Sequence, residues 1–200
     1  MRNNEGSEEP TVVVGERFVV AVGEAVRFHA RQARKSTDVP YISHLLAVAG
    51  LVLEHGGDEE QAIAALLHDA PEDQGGEPVL AHIRARFGHR VAAIVEGCSD
   101  TFEKPKPPWR PRKEAFLARL AHLEPDVWLV VLADKVHNAR KIVDDLRVSG
   151  PSALDRFNGG RDGTLWYYGT AAAELTVVAP GPLADELVVL AAEMRALAER

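Results

Sequence analysis

Three stretches of the 200-residue chain place histidines and carboxylates where an apolar run would otherwise continue. In Pro40-Tyr41-Ile42-Ser43-His44, the histidine heads a core-like segment. In Ala64-Ala65-Leu66-Leu67-His68-Asp69-Ala70-Pro71-Glu72-Asp73, an apolar helix runs directly into four ionisable residues. Such groups are costly to bury unpaired, so they reach solvent, pair with one another or bind a cation. The third stretch, Val127 to Asn138, carries Asp134 after an apolar run, with Asn138 one helical turn further on the same face. Alone, His44 reads as a hydrogen-bonded helix histidine and Asp134 as a solvated helix end. Together, His44, His68, Asp69 and Asp134 form an imidazole and carboxylate set without a thiolate, suited to Mn²⁺, Fe²⁺ or Mg²⁺ with water in the open positions. Water on such an ion has a lowered pKa and can attack phosphorus. Glu72 and Asp73 then stand where they can orient or deprotonate it.

The elements that must position these groups read as helix after helix. Between Glu16 and Lys35, residues Phe18, Val22, Ala25, Val26 and His29 recur at helical spacing. Tyr41 to His55 repeats the pattern until Gly56-Gly57. Asp58 and Gln61 have the spacing of a capping box before the segment 62–69. Further helices are expected at 77–87, 89–98, 113–122, 125 to about 146, 164–178 and 183–199, and strand signals are nearly absent. Neighbouring helical residues point about 100° apart, so His68 and Asp69 can share an ion only beside a helix end, and Pro71 gives a reason for an end or bend there. Four prolines at 105, 107, 108 and 111 predict an exposed loop over 101–112.

Composition sets the outer limits. With 46% hydrophobic residues the chain can bury one good core, so a single domain is expected, with residues 1–14 as a flexible tail and 15–200 folded. The formal net charge of −7 argues against general affinity for nucleic acid, and a small anionic substrate would need a local basic patch. Cys98 is the only cysteine, which rules out a multi-thiolate zinc site and an internal disulfide. No apolar run is long enough to span a membrane and the N-terminus lacks the apolar centre of a signal peptide, so the expected setting is cytoplasmic.

In this order and spacing, the blocks Arg34-Lys35-Ser36, Pro40 to His44, Ala65 to Asp73, Phe87-Gly88, Ser99-Asp100-Thr101 and Leu132 to Arg140 resemble the HD phosphohydrolase superfamily. More narrowly, they are similar to the hydrolase domain of RelA/SpoT proteins and to stand-alone small alarmone hydrolases. The resemblance implies a compact all-α HD fold of about eight to ten helices. It also implies metal-dependent hydrolysis of the 3′-diphosphate of guanosine tetra- or pentaphosphate (ppGpp), with Mn²⁺ as cofactor and pyrophosphate released. His44, His68, Asp69 and Asp134 would be the metal ligands, and Glu72 and Asp73 would manage the water. Arg34, Lys35, Ser36, Tyr41 and Asn138 would line the nucleotide pocket, with the Arg34 guanidinium able to stack on the base. The chain departs from the family's pattern at Thr37-Asp38-Val39, where a shorter link is usual, at Leu45 and at Pro71.

The segment 101–113 carries Lys104, Lys106, Arg110, Arg112 and Lys113 against Glu103. It reads either as a solvated loop or as a phosphate clamp, with Lys106 and Arg112 as the contacts. The remaining histidines, 29 and 137 among them, read as surface or packing residues. Trp166-Tyr167-Tyr168 reads as core and Cys98 as simply buried. Two other readings stay open: the same centre acting on another nucleotide phosphate such as the 2′-phosphate of NADPH, and a non-catalytic nucleotide sensor.

Overall fold

The structure, a computed structural model, describes residues 14–200. The expectation of a flexible tail therefore lies, but for Val14, outside the described residues. The described residues form ten α-helices in the order α1 (Glu16–Phe28), α2 (Ile42–Glu54), α3 (Glu59–Leu67), α4 (Ala70–Gln74), α5 (Glu77–Phe87), α6 (His89–Cys98), α7 (Trp109–Arg119), α8 (Pro125–Ser149), α9 (Gly160–Val178) and α10 (Pro182–Ala198). Among the described residues there is no strand beyond one isolated bridge, Ala33 to Pro40. The fold is all-α, as the periodicity predicts. Among the described residues, no helix is long and apolar enough to cross a membrane.

Helix α3 runs through the middle, with Ala62 to Leu67 completely buried and α1, α2, α6 and α8 packed around it. A helix apolar on every side has to be enclosed in this way. Its start is the expected capping box: Gln61 N donates to Asp58 Oδ1 at 2.9 Å and Asp58 N to Gln61 Oε1 at 3.1 Å. Helix α8, opened by Pro125, packs against α2, α3, α6, α9 and α10. Its buried face, Val127 to Val143, carries Asp134 into the centre of the molecule.

Three element boundaries differ from expectation, the first two for a local reason. The first helix stops at Phe28, not near Lys35. Residues 29–41 fold into a closed turn in which Arg34 N donates to Val39 O at 2.8 Å and Tyr41 N to Gln32 O at 2.9 Å. Pro40 disfavours helical backbone at Val39, and Ser36 takes a left-handed φ of 58° at the tip. Helix α7 begins at Trp109, inside the stretch expected to be a loop. Pro111 is its third residue, where a backbone N–H would have had no acceptor, so the proline costs little. For the same reason Pro71 fits the first turn of the short helix α4. Helix α9 starts at Gly160, four residues earlier than expected.

Candidate metal centre and its cavity

The break between α3 and α4 is what lets adjacent residues act together. His68 caps the end of α3 and Asp69 the start of α4, so their side chains converge beside a helix end, the geometry the spacing required. His44 comes from the first turn of α2 and Asp134 from α8. One donor atom each from His44, His68 and Asp134 lies within 4.8 Å of the others. Asp69 Oδ2 is 3.0 Å from His68 Nε2 and 3.6 Å from His44 Nε2, and Asp134 Oδ1 is 3.2 Å from His44 Nε2 and 3.7 Å from His68 Nε2. Both imidazoles are buried, and neither Nε2 makes a hydrogen bond. Buried polar atoms are rarely left so, and two imidazole lone pairs facing two carboxylate oxygens is the donor set of a divalent-cation site.

The partners of these groups fix their orientation. His68 Nδ1 lies 2.7 Å from the carbonyl of Ala65, which can only accept, so Nδ1 carries the hydrogen and Nε2 faces the centre. His44 Nδ1 lies 2.8 Å from Nδ1 of His137. Burial, then the His44 and Arg34 charges, push the pKa of His137 down to about 4. It is neutral at physiological pH and can accept the proton that His44 carries on Nδ1. Tyr41 donates its hydroxyl to Asp69 Oδ2 at 2.5 Å. Lys135 donates to Asp134 Oδ2 at 2.6 Å and Asn138 to Asp134 Oδ1 at 2.5 Å. Burial opposes charge on both aspartates, yet His68 and His44 hold Asp69, and Lys135 with the two histidines holds Asp134, well below the usual carboxylate range. Burial also opposes charge on His68, but Asp69 and Asp134 outweigh it and hold the imidazole well above its usual range.

Glu72 and Asp73 sit on α4. Burial, then the nearby Asp100 carboxylate, raise the pKa of Glu72 against the pull of Lys106. Lys106 Nζ lies 2.9 Å from Glu72 and 3.3 Å from Asp73. Arg112 hydrogen-bonds Asp100 and stands 3.6 Å from Glu72, and Lys113 donates to Asp100 at 2.6 Å. The basic segment is therefore not wholly a free solvated loop: Lys106, Arg112 and Lys113 are docked on the acids of α4 and on Asp100, while Arg110 pairs with Glu114.

The centre opens into a cavity of about 350 Å³, within the usual range for small-ligand sites. Of the residues expected to bind substrate, Arg34, Lys35, Tyr41, Asn138 and Arg112 line it. Ser36 and Lys106 do not: Ser36 is exposed at the tip of the 29–41 turn, and Lys106 pairs with the α4 acids. Arg34 donates to Asn138 Oδ1 at 2.5 Å and lies over the Tyr41 ring at 5.5 Å, so three of the expected contacts form one network with the metal-centre carboxylates. In an acidic protein, seven lysines and arginines line this cavity against four carboxylates.

Several participants escaped the sequence reading. His29 and His137 are not bland packing residues. His29 is buried, stacks on Tyr41 with ring centres 5.0 Å apart, and bonds Gln32 at 2.7 Å, while Gln32 Nε2 holds Asp73 Oδ2 at 2.8 Å. Their three-residue spacing was the available signal. Tyr167 and Tyr168 are buried as expected but also wall the cavity, and Cys98 lines it too. Lys141, Arg156 and Asn158 line it as well, and nothing in their local sequence marks them.

The HD domain family model matches residues 21–154. Human MESH1, named a guanosine-3′,5′-bis(diphosphate) 3′-pyrophosphohydrolase, is 35% identical over 129 residues, covering 63% of this chain and 69% of MESH1. A Synechocystis protein named a probable guanosine-3′,5′-bis(diphosphate) 3′-pyrophosphohydrolase is 39% identical over 59% of this chain, which spans only 16% of that larger relative. Among solved structures, a metazoan SpoT ortholog that hydrolyses ppGpp superposes with a TM-score of 0.71 at 25% identity, over 92% of this chain and 96% of its own. A protein of Listeria monocytogenes superposes with a TM-score of 0.66 at 30% identity, over 79% of this chain and 99% of its own.

Proposed function

The chain belongs to the HD-domain family, and on that premise we propose that it hydrolyses the 3′-diphosphate of guanosine tetra- or pentaphosphate, with residues 15–200 as one hydrolase domain. The HD family implies a divalent metal, and Mn²⁺ is the ion proposed, held by His44, His68, Asp69 and Asp134. The observation that carries this reading is the pair of buried, unbonded Nε2 atoms facing Asp69 and Asp134 at the floor of a cation-lined cavity. The relatives' printed activities support the choice of nucleotide. A nucleotide substrate of this kind goes with a cytoplasmic setting.

When bound, the cation supplies positive charge against phosphoryl oxygens and a lowered pKa for water. The protein supplies position and proton management. Tyr41, Asn138 and Lys135 keep the two ligand carboxylates ionised and aimed. Glu72, its pKa raised by burial and by Asp100, is suited to take the proton from the water that attacks the phosphorus next to the 3′-oxygen. Asp73, fixed by Gln32, orients that water. The bond from phosphorus to the 3′-oxygen breaks, the 3′-oxygen regains a proton, and pyrophosphate leaves with GDP or GTP. Arg112 and Lys113, at the cavity wall, stand ready to offset charge developing on the phosphoryl oxygens.

The test uses purified protein with Mn²⁺ and either guanosine tetraphosphate or NADPH, detecting pyrophosphate and orthophosphate separately. Pyrophosphate release from the first substrate supports the proposal. Orthophosphate from NADPH alone moves the same centre to the 2′-phosphate reading, and tight metal binding without turnover leaves a nucleotide sensor.

A further inference from the structure

Helix α8 orders the cavity along its length. Asp134, Asn138 and Lys141 follow at four and three residues, so they share a face, and Lys141 lies about 10 Å along the axis from Asp134 at 1.5 Å per residue. All three line the cavity. At this outer end Lys141 Nζ donates to Asp145 Oδ1 at 2.6 Å, and Arg156 hydrogen-bonds the other oxygen of the same carboxylate. Lys35 reaches in from the 29–41 turn, where its Nζ lies 3.2 Å from Asn158 Oδ1 and, among the described residues, within salt-bridge distance of no carboxylate. Phe157 lies between them, with Lys35 Nζ 5.7 Å and Arg156 Cζ 4.8 Å from its ring centre.

Three cations thus meet at one cavity wall with a single carboxylate, Asp145, which pairs with Lys141 and Arg156 and leaves Lys35 without one. The Nε of Arg156 is buried without a hydrogen-bond partner. Burial, and to a lesser extent the charge of Arg156, lower the pKa of Lys35. An i,i+4 pair between Lys141 and Asp145 is ordinary helix decoration, but it does not account for Arg156 and Lys35 converging on the same wall. The excess of positive charge calls for an anion, and the inner end of the cavity already has its own.

We propose that Lys35, Lys141 and Arg156 form a second anion subsite, which takes the phosphates on the 5′ side of the nucleotide while its 3′-diphosphate lies at the metal centre. This rests on the hydrolase reading for the identity of the nucleotide, and it assigns Lys141 and Arg156 as specificity determinants. Phosphates at both ends of one nucleoside then distinguish the substrate from nucleotides phosphorylated at one end only.

The test compares the wild type with Lys141→Ala/Arg156→Gln, and with Lys141→Glu alone in case loss of Arg156 disturbs the fold. Turnover is measured with guanosine tetraphosphate and with guanosine 3′-diphosphate, which lacks 5′ phosphates. Binding of GDP and of inorganic pyrophosphate is measured by calorimetry. The expected result is a rise of about tenfold in KM for the tetraphosphate with kcat nearly unchanged, no change for the truncated substrate, and GDP binding weakened about tenfold. Equal effects on both substrates, or none, overturn the subsite. So does a loss of pyrophosphate binding that leaves GDP binding intact, which assigns the cations to a free phosphate ligand. If the wild type hydrolyses no nucleotide while GDP binding still depends on these cations, the hydrolase reading fails and the subsite stands.

Discussion

At the inner end of the cavity His44, His68 and Asp134 bring donor atoms within 4.8 Å of one another, with the histidines buried. At the outer end Lys35 is exposed and Lys141 has a side chain 47% accessible, and the residues come from a turn, a helix and an irregular link. The inner groups sit on helices whose apolar faces are locked in the core, and nearly every polar atom around them has a fixed partner. Of the outer groups, Lys141 and Arg156 are held by a shared carboxylate and Lys35 by the Asn158 amide. A buried, mutually dependent set fails as a unit when one member is removed, whereas a solvated cation cluster loses affinity by degrees.

Asp69→Ala is the sharpest way to break this comparison: pyrophosphate release should fall below detection, and a variant that still turns over would show that the inner end is not an all-or-none set. Glu72→Gln keeps the shape but cannot accept a proton, so kcat should drop by ~10²–10⁴-fold with metal binding intact, as single-turnover assays would show. For His137→Phe, which removes the partner of His44 Nδ1, metal affinity should weaken by ~10–100-fold in a direct Mn²⁺ titration, and His137→Asn should recover part of it.

Metal removal probes the same end through pH. In the metal-free protein the raised pKa of His68 contributes stability that is fully present below about 6.5 and is lost as pH rises through its folded value. The depressed Asp69 and Asp134 contribute stability that is present above about 3.8 and is lost as pH falls through theirs. Chelated protein should therefore melt at a higher temperature at pH 5.5 than at pH 8, to first order in these groups. An entering cation must displace the His68 proton, so its affinity should rise by about tenfold per pH unit until that proton is gone, and a flat profile would contradict the coupling.

The smallest functional effect is expected at the outer wall. A Cβ on Gly159 would lie 2.6 Å from the Trp109 ring, so Gly159→Ala should cost ~1–3 kcal/mol in thermal unfolding while leaving metal affinity unchanged.

Much of the inner end was legible in the chain itself. Helical periodicity located α2, α3 and α8, and the His68-Asp69 pair followed by Pro71 required a helix end, which the break between α3 and α4 supplies. His44 and Asp134 are 90 residues apart, yet each stands in a local context where an apolar helix meets a charge. The 101–112 stretch is a loop over 101–108 as its prolines predict, and only 109–112 differ, because Pro111 is harmless in the first turn of a helix. The 29–41 turn was misread because helix-favouring residues continue past His29, and tertiary contacts with propensities this weak decide such boundaries.

The sequence by itself determined the all-helical architecture and the metal-type donor set, because period and local context are carried by neighbours along the chain. Only the tertiary structure decided that His137 backs His44, that Gln32 holds Asp73, and that Lys35, Lys141 and Arg156 face one wall. Each of those contacts involves a residue with no local signature, and what brings them together is the packing of α8 against its neighbours and the closure of two irregular links.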